Sequence, residues 1–67
     1  MADIDTLKTD VKKLNAKATK AKMDLHDLSE ELPTGWEKIL EVAQTAHDAH
    51  VALMAARKAL ADAQAAA

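Results

Sequence analysis

His47 and His50 stand three residues apart, so on a helix both imidazoles project from one face, with Met54 one turn beyond His50 and Asp48 adjacent. Imidazole ligates transition ions, and a two-fold pairing of chains would bring four such rings together. One chain offers no clear third ligand, and without cysteine both thiolate metal sites and disulfides are excluded. Histidine pairs of this kind are more often interface residues. No resident metal or cofactor is therefore expected, and His47 and His50 are the weak metal candidates. His26, on an outer position of the first half, reads as a surface residue.

The inventory for catalysis is poor. Ser29 is the one serine, no histidine-and-acid arrangement is legible beside it, and no glycine-rich phosphate loop is present. A helical hairpin also lacks an enclosed substrate pocket, so the chain is not expected to be an enzyme. Its charges are segregated. Lys8, Lys12, Lys13, Lys17, Lys20 and Lys22 crowd the first third, whereas Asp24, Asp27, Glu30, Glu31, Glu37 and Glu41 gather around the middle. These are either two solvated faces stabilised by local pairs or the poles of a molecule whose ends meet partners of opposite sign. A lysine face on a helical-hairpin dimer could also meet paired RNA. A net charge of −2, the absence of Phe and Tyr and a single arginine, Arg57, argue against it.

The elements that must position these groups follow from apolar spacing. Ile4, Leu7, Val11, Leu14, Ala18, Ala21, Leu25, Leu28 and Leu32 recur in alternating steps of three and four, a heptad seam over about four heptads. Asp3 or Asp5 marks the start. Leu32-Pro33-Thr34-Gly35 ends the helix, because the residue before proline is driven out of the α region. Thr34 with Glu37 three residues later predicts a capping box for a second helix. That helix has its own seam, through Ile39, Val42, Ala46, Ala49, Leu53, Ala56, Leu60 and Ala63.

Folding the chain about the turn pairs positions whose numbers sum to 67: Leu28 with Ile39, Leu25 with Val42, Ala21 with Ala46, Ala18 with Ala49, Leu14 with Leu53, Val11 with Ala56 and Leu7 with Leu60. Both seams agree with this one register. The fold class is thus all-α, a single antiparallel two-helix hairpin over 1–67, with a helix over about 3–31, a turn at 32–35 and a helix over about 35–64. Ala65, Ala66 and Ala67 are expected to fray.

A second stripe, Trp36, Leu40, Ala43, His47, His50, Met54 and Arg57, runs beside the second seam, and a lone hairpin leaves it in water. It is either the interface of a homodimeric four-helix bundle or a docking face for a different protein. Met23 and Ala16 lie opposite the first seam and extend the exposed surface. The 67-residue length favours partner burial, since one core of this size rarely supplies more than ~3–5 kcal/mol. No apolar run approaches bilayer length, and the N-terminus lacks the basic flank and apolar block of a secretory signal. Cytoplasmic location is expected.

The stretch Lys17-Ala18-Thr19-Lys20-Ala21-Lys22-Met23-Asp24-Leu25-His26-Asp27-Leu28, followed by Leu32-Pro33-Thr34-Gly35-Trp36-Glu37-Lys38-Ile39, resembles the small Rop-like proteins encoded among nitrogen-fixation genes of diazotrophic bacteria. The resemblance covers most of the chain, and neither segment encodes a chemistry. It implies a non-enzymatic accessory protein that binds the molybdenum–iron protein of nitrogenase and stabilises or protects a particular state during turnover, repair or maturation. Without cysteine the chain has no usual ligand for an iron–sulfur cluster, which favours protein binding over cofactor carriage. By analogy the docking residues are Lys22, Met23, Asp24, His26, Asp27 and Trp36, with Leu25 and Leu28 structural. Trp36 either contacts the partner or caps the bundle end beside the turn.

Overall fold

The computed structural model describes residues 3–66. Two helices, α1 (Ile4–Glu31) and α2 (Ile39–Ala66), are joined by a turn and a short 3₁₀ segment, Trp36–Lys38. At 28 residues each the helices span about 42 Å, and side by side they form a rod of 50 × 15 × 14 Å.

Asp3 sits at the start of α1 in extended conformation, and its carbonyl accepts the Leu7 N–H at 3.0 Å. Its carboxylate makes no capping bond, and Asp5 supplies the negative charge in the first turn. At the other end Leu32 leaves the helical region, with φ −57° and ψ 143°, as its place before Pro33 requires. The chain then reverses through three backbone bonds: Thr34 N–H to Glu31 O at 3.0 Å, Trp36 N–H to Pro33 O at 3.3 Å and Lys38 N–H to Gly35 O at 2.9 Å.

The capping box expected of Thr34 and Glu37 does not form. Gly35, at φ +80°, occupies the position before the 3₁₀ turn, and that start carries no side-chain cap bond. A capping box needs an extended residue immediately before the first helical turn, whereas here a left-handed glycine leads into a tightened turn that satisfies its own donors. Regular α-helix accordingly begins at Ile39, later than the expected residue 35. The alanine tail also differs from expectation. Ala65 and Ala66 remain helical, in keeping with the highest helix propensity of any residue; Ala67 lies outside the described residues.

Gly35 is required twice over. Its positive φ penalises any Cβ, and a Cβ built there would lie 3.2 Å from Leu28 Cδ1. Gly35→Ala is expected to cost about 1–2 kcal/mol. The urea midpoint should fall while helical circular dichroism without denaturant stays unchanged.

The core lies along the seams. Ala18, Ala21, Ala46, Ala49 and Leu53 form one buried cluster against which Val11 and Leu14 pack, and Leu28 is buried separately near the turn. This grouping agrees with the register in which Ala18 opposes Ala49, Ala21 opposes Ala46 and Leu14 opposes Leu53. The seam is less well covered at the turn end, where Leu25, Leu32 and Ile39 each remain more than a third exposed. Alanine is hidden by one neighbouring helix, whereas Leu25, Leu32 and Ile39 reach past their single neighbour and keep one flank in water.

Candidate functional site

The five candidate residues on α1 wind around the helix. At 100° per residue Lys22 and His26 share one face, Met23 and Asp27 share another, and Asp24 turns toward α2. No single flat surface can therefore touch all of them, though all five are exposed.

Each has a local partner or none. Asp24 accepts a hydrogen bond from Lys20 Nζ at 2.9 Å, and this bond, with the carboxylate charge, holds the Lys20 ammonium above the usual lysine pKa of 10.5. A raised lysine pKa adds stability at neutral pH that disappears as pH climbs past that value. Because Lys20 is fully exposed, the effect is confined to local support of the helix. His26 lies between two carboxylates, with Nε2 3.2 Å from Glu30 Oε1 and Nδ1 3.7 Å from Asp27 Oδ1. Both contacts are on the surface of one helix. Met23 is half exposed and makes none of the polar contacts that would fix it.

On α2 the second stripe is open to solvent. Trp36 is 64% exposed, Leu40 83% and Met54 58%. His47 and His50 are exposed, and Ala43 is half-buried on the stripe's inner edge. Val51, also exposed, extends the stripe beyond the expected residues. Its signal was the spacing of Leu40, His47, Val51 and Met54 in steps of seven, four and three.

The two histidines have different hydrogen-bond partners. His50 Nδ1 lies 2.7 Å from the Ala46 carbonyl, so Nδ1 is the donor and Nε2 the free nitrogen. His47 Nδ1 is 3.4 Å from Asp48 Oδ1, which also accepts from Gln44 Nε2 at 2.8 Å. Among the described residues no group of three or more His, Cys, Asp or Glu side chains could hold a metal ion.

Between the helices the surface has shallow recesses. One, of about 100 Å³, lies on the turn side and is lined by Ala21, Asp24, Glu41, Val42 and Thr45. A longer groove of about 470 Å³ near the open end is lined by Leu7, Leu14, Ala55, Ala56 and Ala59, with Asp10 and Lys13. Sequence reasoning placed Glu41 among the turn's acids but did not set it across a groove from Asp24, because that juxtaposition depends on the rotation of both helices. Among the described residues no helix is long and apolar enough to cross a membrane.

The hairpin's sequence matches, over residues 2–65, the profile described as Rop-like. The chain belongs to the Rop-like family. Two relatives of this Rop-like chain match it over most of their own length. A UPF0437 protein of Azorhizobium caulinodans is 58% identical over 60 residues, covering 90% of this chain and 87% of the relative. A UPF0437 protein of Sinorhizobium fredii is 46% identical over 61 residues, covering 91% of each. A third, from Frankia alni, is named for the nifX-nifW intergenic region; it is 55% identical over 40 residues, covering 60% of this chain and 49% of the relative. No solved structure gives a significant match.

Proposed function

We propose that this Rop-like hairpin is a non-enzymatic accessory protein of the cytoplasm that binds the molybdenum–iron protein of nitrogenase and stabilises or protects one of its states during turnover, repair or maturation. The observation that carries the reading is the conjunction of a relative named for a nif gene region with an exposed, partly apolar stripe that the hairpin itself does not bury. The stripe supplies the kind of surface docking requires, large apolar side chains and an aromatic residue set among polar neighbours. The absence of cysteine from the sequence favours a role played by contact over one played by carrying a cluster. When free, the chain pairs with a second copy.

Anaerobic co-elution with purified molybdenum–iron protein, intact and cofactor-deficient, with mass read by light scattering, tests the reading. The expected result is a complex with at least one preparation and a preference between the two. A chain that elutes at its own or twice its own mass beside every preparation overturns it.

A further inference from the structure

Charge is divided along the rod more sharply than the net of −2 suggests. The turn half, residues 23–45, holds six carboxylates, Asp24, Asp27, Glu30, Glu31, Glu37 and Glu41, and one ammonium, Lys38, for a net of −5. The remaining residues hold eight cationic side chains and five carboxylates, a net of +3. The acidic half also carries the largest exposed apolar groups nearest a chain reversal, Trp36 and Leu40. On the other flank of α2, still within the acidic half, lies the small recess between Asp24 and Glu41, with Ala21 and Val42 as its apolar lining. Asp24 is partnered by Lys20, whereas the Glu41 carboxylate makes no ion pair among the described residues. A recess of about 100 Å³ admits the end of one long side chain. Carboxylates over an apolar lining suit a cationic head on a methylene stem.

We propose that the turn end is the docking tip of the molecule, and that its occupant is a protein surface presenting arginine or lysine side chains around an apolar depression. Trp36 and Leu40 enter the depression, and one basic side chain of the partner enters the recess against Glu41. A second copy is the weaker match: tip against tip sets −5 beside −5, and Lys20 and Lys58 of the basic half are already paired with Asp24 and Asp62 at 2.9 Å. This assignment deepens the accessory-protein reading, and its test separates the two.

The full-length chain is titrated with a helical leucine–lysine peptide, followed by emission of its single tryptophan, Trp36, and separately with the molybdenum–iron protein. A leucine–glutamate peptide serves as control. The tip predicts a blue shift with the basic peptide alone, weakened by ~0.5 M salt. It also predicts a loss of roughly tenfold or more in affinity, for peptide and protein, in Glu37→Lys/Glu41→Lys and in Trp36→Ala. Lys8→Glu/Lys12→Glu should stay within about twofold. All these positions are exposed, and unchanged helical circular dichroism verifies that the variants fold.

Binding to the peptide but not to the molybdenum–iron protein keeps the tip and rejects that partner. Binding to the molybdenum–iron protein that the tip variants leave untouched keeps the partner and rejects the tip. Equal response to both peptides, or tip cross-links between two copies at dimer mass, also overturns the proposal.

Discussion

Leu53→Ala is expected to unfold most of the chain at room temperature and micromolar concentration. Leu53 is the sole large side chain in a buried cluster whose other members, Ala18, Ala21, Ala46 and Ala49, are all alanine. Truncating a buried leucine removes its transfer free energy and leaves a gap, together about 2–5 kcal/mol. A single core of this size rarely holds more than ~3–5 kcal/mol in total, so one substitution takes up most of the margin. Helical circular dichroism at 222 nm should drop well below wild type at 25 °C. Recovery at raised protein concentration would show that a second copy supplies part of the missing burial, since association stabilises the folded form by mass action. A variant with the wild-type urea midpoint would remove Leu53 from the core and, with it, the register that sets Leu53 against Leu14.

The hairpin was legible because two independent patterns agreed. The α1 seam from Ile4 to Leu32 and the α2 seam from Ile39 to Ala63 meet in register only if the chain reverses around Pro33 and Gly35, and those residues are themselves turn formers. What the sequence concealed depends on exposure and on local backbone geometry. Thr34 and Glu37 carry a capping-box pattern, but the left-handed conformation of Gly35 decides where the helix starts. Leu25 and Ile39 have seam spacing, yet spacing does not say how much of a branched side chain one neighbour can cover. The same holds for the candidate site. The Met23, Asp24, His26 and Asp27 segment is contiguous in sequence, and contiguity on a helix scatters residues around the axis. The facing of Asp24 and Glu41 across the groove appears only once both helices are placed.

Ala18→Leu is the converse test of how the rod is built. Ala18 is 2% exposed, the most deeply buried residue described, and the register sets it opposite Ala49, with the Ala21–Ala46 pair as the next layer. Alanine on alanine lets helix axes approach to the short end of the ~8–10 Å range. Three added carbons at position 18 have no space to fill, so the helices must part at mid-rod or the leucine must leave its rotamer, either costing about 1–3 kcal/mol. The cost extends to both flanking layers, because parting the helices at Ala18 also loosens Ala21 against Ala46 and Leu14 against Leu53. The expected result is a lower urea midpoint together with faster amide exchange in the middle of both helices. Ala16→Leu, one turn-face away and exposed, should stay within about 0.5 kcal/mol of wild type. If the two leucines instead behaved alike, position 18 would not face α2, and the close alanine contact that leaves the larger side chains free to dock would be wrong.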